Sequence, residues 1–167
     1  MGCPSDLAVA IASRNARYGQ YVDCKEWEKL TTEIVLPDCR WRICDIKGKP
    51  LVSQGKPLSW DSAAEYLEYF PKVLAPMNSL HMFGIGEFEQ IDDDTVNAVF
   101  SMEDQLVNKQ LGTWVELRGG GFAFQTWKRR GADWYLQELV VKRTYQKMST
   151  LVSFAVFLQE KLGIPMI

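Results

Sequence analysis

The chain changes character near Pro76. Before it, apolar residues recur mainly at helical spacing. After it, they alternate with polar ones over long stretches. Pro4, Ser5 and Asp6 open a first helix carrying Leu7, Ile11 and Tyr18 at that spacing. Asp23-Cys24-Lys25-Glu26 reads as a capping box starting a second helix, with Trp27, Leu30 and Ile34 as its stripe and Pro37-Asp38 as its stop. From Cys39 to Ile46 the period switches to two: Cys39, Trp41 and Ile43 take one face, Arg40 and Arg42 the other. Ser59 or Asp61 is expected to cap a third helix bearing Ala63, Tyr66, Leu67 and Phe70, with Pro71 ending it.

Four long strands are predicted beyond Pro76, near 79–90, 94–107, 112–129 and 133–145. Acidic or glycine-bearing turns separate them, short enough for antiparallel hairpins. A last helix is expected near 147–162. Helices packed on a curved, mostly antiparallel sheet make an α+β domain that encloses a pocket. The 167 residues suit one such unit, spanning 1–167 without repeats or linkers.

Within the strands, Val96, Ala98, Phe100, Met102, Asp104 and Leu106 share one face. A carboxylate among apolar neighbours is costly unless paired or protonated, which suits an acid–base group. The alternative is a strand that ends near Met102 and leaves Asp104 in water. His81 stands at the start of the preceding strand, as a proton shuttle or as a half-buried ring bonded to backbone. Asp23 reads as a helix cap that also reaches the pocket mouth. Gln125, with Trp127, and Arg143, with Lys142, offer polar contacts for substrate or a solvated face. Trp134, Leu136 and Val140 alternate on a face that packs either on helices or on a second subunit. Arg118-Gly119-Gly120-Gly121-Phe122 lies inside a strand pattern with no helix after it, so it marks a bulge or a close approach rather than a phosphate loop.

Composition narrows the chemistry. There is one histidine, His81, which excludes polyhistidine metal sites and two-imidazole catalysis within one chain. A net charge of -2 argues against a dedicated nucleic-acid binder. Cys3, Cys24, Cys39 and Cys44 form no CxxC pair and read as reduced thiols. No secretory signal is expected at the N-terminus and no span long enough for a bilayer is present, so a cytoplasmic location is expected.

The run Arg17-Tyr18-Gly19-Gln20-Tyr21-Val22-Asp23-Cys24-Lys25-Glu26-Trp27-Glu28-Lys29-Leu30, then Pro37-Asp38, then Leu80-His81-Met82-Phe83-Gly84, then Trp134, resembles the scytalone-dehydratase and SnoaL-like group of the nuclear-transport-factor-2-like superfamily. The resemblance covers roughly residues 8–145. It implies a cone of helices on a curved sheet with the active site inside. It also implies dehydration, isomerisation or cyclisation of polyketide, terpenoid or related hydrophobic intermediates, notably in fungi and bacteria, with no metal and no cofactor. By position it assigns Asp23 to the pocket and His81 to catalysis. The chain departs from the dehydratase at Val22, where a tyrosine is usual and Tyr21 lies one residue away. It departs also at Ile43, at Leu106 where a second histidine is missing, and at Gly121 and Ala123 in place of polar residues. An apolar pocket worked by few acid–base groups is the expectation.

The expected machinery is therefore His81 as general base or acid, partnered by Asp104 or alternatively Asp23. Trp41, Tyr66, Phe100 and Met102 would form the walls, and Tyr21, Gln125 and Arg143 would contact substrate. A homo-oligomer, dimer or trimer, is expected, with no nucleic-acid or membrane partner. A non-catalytic binding or dimerisation module and an epoxide hydrolase remain the alternatives.

Overall fold

In the computed structural model, which describes residues 3–53 and 55–162, the order is α1 (Ser5–Cys24), α2 (Trp27–Lys29) running on as a π-turn (Leu30–Ile34), β1 (Val35–Asp45), three two-residue strands β2 (Val52–Ser53), β3 (Lys56–Pro57) and β4 (Ser59–Trp60), α3 (Ala63–Leu74), the long strands β5 (Met77–Asp92), β6 (Thr95–Asn108), β7 (Gly112–Arg130) and β8 (Asp133–Met148), and α4 (Thr150–Leu162). Six strands form one sheet in the order β4-β1-β8-β7-β6-β5, antiparallel except where β1 runs parallel to β8. The α+β class and the four-strand meander stand as expected. A core built on Ile11, Leu30, Ile34, Phe100, Trp127 and Leu136, all nearly inaccessible, joins the helices to the inner sheet face.

Several local expectations are corrected. α1 does not stop before Asp23 but runs through it. Lys25 then takes the left-handed conformation (φ 62°), and its N–H and that of Glu26 bond back to the carbonyls of Val22 and Tyr21. That is a helix C-terminal Schellman arrangement, so Asp23 lies in the final turn and caps no second helix. The second helix yields to strand at Val35, because Pro37 and Asp38 fit the exposed positions of β1 beside β8. α3 is capped by Ser62, whose side chain accepts the Glu65 N–H, and Pro71 is carried inside it to Leu74. The last helix starts at Thr150, three residues later than expected.

Irregularities in the strands aim the pocket side chains. In β8, Glu138 pairs with Thr126 but Leu136 pairs with Trp127, leaving Gln137 as an extra residue. The bulge reverses the alternation: Trp134 and Leu136 are buried before it, Leu139 and Val141 after it. Val140 consequently leaves the Trp134–Leu136 face, contrary to the strict alternation expected. A second bulge, with Thr144 extra between the Gly120–Tyr145 and Gly121–Arg143 pairs, brings Gln146 and Met148 to the cavity after Arg143. The glycine run is the close approach its position suggested. A Cβ on Gly121 would lie 2.0 Å from the Lys142 carbonyl oxygen, and one on Gly119 would lie 2.8 Å from Arg143 Nη1.

Candidate active site

Between the inner sheet face, α3 and α4 lies a cavity of about 420 Å³. Its walls are mainly aromatic and aliphatic. Trp41 stacks on Tyr66 with centroids 4.3 Å apart, Tyr66 stacks on Phe70, and Trp60 packs edge-on against both Tyr66 and Phe70. Phe83, Met102, Leu106, Leu139 and Val141 complete the floor. Tyr18, Tyr66, His81, Asp104 and Arg143 supply polar groups deep among these walls, and Arg42, Ser53, Tyr69 and Gln146 also line the cavity.

His81 comes from β5, whose residues 79, 81 and 83 point inward, and meets Asp23 at the end of α1. The Asp23 carboxylate accepts the His81 backbone N–H at one oxygen (2.8 Å) and lies 2.7 Å from Nδ1 at the other. Burial pushes this carboxyl up, but the hydrogen bonds and charge of His81, aided by the Ser79 hydroxyl, outweigh it and hold Asp23 below the usual carboxylate range. A carboxylate on Nδ1 fixes the proton there and leaves Nε2 as an acceptor. Nε2 has no hydrogen-bond partner among the described residues, on a ring that lines the cavity.

Of the two expected partners for His81, the geometry selects Asp23. Asp104 lies directly across the β5–β6 ladder from His81, on the predicted face, but its carboxylate is ion-paired with Arg143. Asp104 Oδ1 and Arg143 Nη1 are buried with no hydrogen-bond partner among the described residues. Arg143 has Asp104 as its one carboxylate among the described residues, which does not make the Asp–Arg–Asp set an epoxide hydrolase would need.

Trp41, Tyr66, Met102, Asp104, Arg143 and His81 line the cavity as expected; three other expected contacts do not. Tyr21 lies outside it, its hydroxyl donating to Glu33 (2.7 Å). Gln125 is buried in a structural relay, donating to Asn15 (2.7 Å) while accepting from the Trp127 indole (2.9 Å), so it ties α1 to the sheet. Phe100 packs behind the floor, edge-on to Phe83 and Phe88. Tyr18, expected only as part of a helix stripe, also lines the cavity. Its hydroxyl accepts the Trp41 indole N–H (3.3 Å), and burial pushes its phenol up to about 12 despite hydrogen bonds that pull the other way. The Tyr66 phenol is also raised, chiefly by burial, so both stay protonated at neutral pH. Among the described residues no group of three or more His, Cys, Asp or Glu side chains is placed to hold a metal ion.

No family model matches the chain. Over 148 residues, 89% of this chain and 98% of the relative, it is 26% identical to a Gibberella zeae protein named "Probable cyclase FGR4". Among solved structures it superposes on hexachlorocyclohexane dehydrochlorinase LinA-type3 of Novosphingobium barchaimii with a TM-score of 0.66, at 16% identity over 87% of this chain and 95% of that one. A Novosphingobium aromaticivorans structure described as "Putative Scytalone Dehydratase" matches with a TM-score of 0.67, at 12% identity over 83% of this chain and 84% of that one. The fold is the nuclear-transport-factor-2-like cone that these solved structures share. In this cone the Asp23–His81 pair lies between α1 and β5, and Asp104–Arg143 lies between β6 and β8. No helix among the described residues is long and apolar enough to cross a membrane.

Proposed function

We propose that the protein is a lyase or isomerase, of cyclase or dehydratase type, acting on a hydrophobic natural-product intermediate by proton transfer. The observation that carries this reading is the His81 imidazole, fixed through Nδ1 by Asp23, with Nε2 free beside an apolar cavity. Nε2 would take a proton from carbon next to a carbonyl, while the Arg143 guanidinium, held by Asp104, would favour negative charge developing on the substrate oxygen. The imidazolium then returns its proton, to carbon in an isomerisation or cyclisation, or to a departing hydroxyl in a dehydration. A cavity of about 420 Å³ suits a substrate of two or more fused or linked rings, and its aromatic walls exclude competing water. The names of the relatives, a cyclase, a dehydrochlorinase and a dehydratase, agree with chemistry of this kind.

The test is conversion of the accumulated intermediate in a host carrying the neighbouring pathway genes. Wild-type protein should form an isomeric or dehydrated product, and His81→Ala should let the intermediate build up. Equal conversion by folded His81→Ala protein overturns the reading.

A further inference from the structure

We infer that Lys25 and Ser79 are positioning residues for this site, extending the acid–base pair into a chain that runs Lys25, Ser79, Asp23, His81. The inference rests on the proposed role of His81. Three separate observations carry it.

The first is a row of contacts. Lys25 Nζ donates to Ser79 Oγ at 2.6 Å, the Ser79 side chain acts on the Asp23 carboxyl and favours its ionised form, and that carboxylate holds both the backbone and the ring of His81. Ser79 and His81 alternate on the inward face of β5, so one strand supplies both clamps on Asp23. The second is the backbone. Lys25 is the one non-glycine residue with positive φ among the described residues, at a helix end where glycine is favoured. A bulky residue kept in that conformation is unfavourable locally, and such outliers collect at functional sites. The third is the helix field. Asp23 lies in the last turn of α1, where the macrodipole disfavours an anion. A cation two residues on, linked through one hydroxyl, offsets that field.

The consequence falls on the imidazole. Asp23 fixes the proton on Nδ1 only while it is ionised and aimed at the ring. Ser79 favours the ionised carboxylate and, bonded to Lys25, brings the Lys25 charge to bear on it. The charged and titratable groups around this chain are His81 from β5, Tyr18 and Cys24 from α1, and Lys109 from the turn after β6. Lys109 is itself tied to the Ala75 carbonyl. Burial lowers the Lys25 ammonium, with Asp23 opposing and Lys109 reinforcing the shift.

A single histidine makes the experiment direct, because ¹⁵N-labelled protein shows one pair of imidazole nitrogens. Lys25→Gly, Ser79→Ala and the conservative Lys25→Arg are compared with wild type at one pH, and the Asp23 carboxyl carbon is titrated in each. Glycine suits the left-handed position, so Lys25→Gly should melt at or above the wild-type temperature. It should nonetheless lose the clean Nδ1–H signature and raise the Asp23 midpoint by about half a unit or more. Ser79→Ala should do the same and Lys25→Arg should restore the wild-type signals. Wild-type imidazole signals and an unmoved Asp23 midpoint in both Lys25→Gly and Ser79→Ala overturn the inference and leave Lys25 a helix-end residue only. These readouts need no substrate, so they stand or fall separately from the turnover test of His81.

Discussion

Two carboxylate–base pairs meet at one rung of the β5–β6 ladder, where His81 lies opposite Asp104, and they are built differently. Asp23 is satisfied at both oxygens by His81, with Ser79 besides. Asp104 meets Arg143 alone, and each partner keeps one buried atom unpaired. The bases differ in kind. An imidazole exchanges its proton near neutral pH, whereas a guanidinium stays charged. In the proposed chemistry the first pair moves protons and the second supplies a fixed charge. Anchoring differs too. Asp23 hangs on a helix end, while Arg143 is wedged between strands where Gly119 and Gly121 leave room. The contrast teaches that proximity on the sheet does not assign partners: His81 and Asp104 are ladder neighbours, yet each bonds elsewhere.

The largest effect that would break this contrast is catalytic. His81→Ala should lower turnover by roughly 10²–10⁴-fold in protein that still folds, with some loss of melting temperature because Asp23 loses its ring partner. Steady-state rates with the identified substrate check this. An Arg143 variant that lost as much rate, against a His81 variant that lost none, would exchange the two roles.

The next effect is on stability and belongs to the other pair. Asp104→Ala leaves a buried guanidinium without its counter-charge and should cost about 3–5 kcal/mol in denaturant unfolding. Replacing both partners, Asp104→Met with Arg143→Met, should recover most of that loss, because removing both charges removes the desolvation penalty. A double variant no more stable than the single would show that packing, not charge, dominates the loss.

The glycines beneath Arg143 test its wedge while both charges stay present. Gly121→Ala sets a Cβ 2.0 Å from the Lys142 carbonyl oxygen, a backbone atom that cannot turn away, and should cost about 3 kcal/mol. Gly119→Ala meets the end of a flexible side chain at 2.8 Å, so the guanidinium shifts and the cost should be about 1 kcal/mol. Parallel unfolding curves rank the two.

Much of this was legible in the sequence where side chains alternate without interruption. Val96, Ala98, Phe100, Met102 and Asp104 fall on one face as their period requires, and the strand limits from 77 to 148 follow the turn residues. The bulges at Gln137 and Thr144 were not legible, because an extra residue changes the facing of all that follow and leaves no compositional mark. Asp23 was misplaced for a related reason. Asp-x-x-Glu satisfies a capping pattern locally, and nothing short of the tertiary pull of His81 and Ser79 shows that Lys25 turns left-handed and lets α1 run past it. The inward Ser79–His81 alternation was readable and would have pointed to Ser79.

The smallest expected effect separates the pairs by pH. The Asp23 carboxyl titrates below its ordinary range in the folded protein, so the unfolded chain binds that proton first on acidification. Its contribution to stability is fully present above about pH 4 and is lost as pH falls through the lower folded value. Asp23→Asn removes this contribution at every pH. The gap in unfolding free energy between wild type and Asp23→Asn should therefore be open at pH 5 and should close on going below about pH 4. Asp92 and Glu103 are also held low, by Thr95 and by Tyr145 with Arg118, and they steepen the acid loss in both proteins alike, so the difference between the curves isolates Asp23. Urea unfolding at half-unit pH steps measures it. A gap that stays open to pH 2 would mean that Asp23 contributes by packing and not by its charge toward His81. It would then be Asp23, like Asp104, that serves as a structural carboxylate.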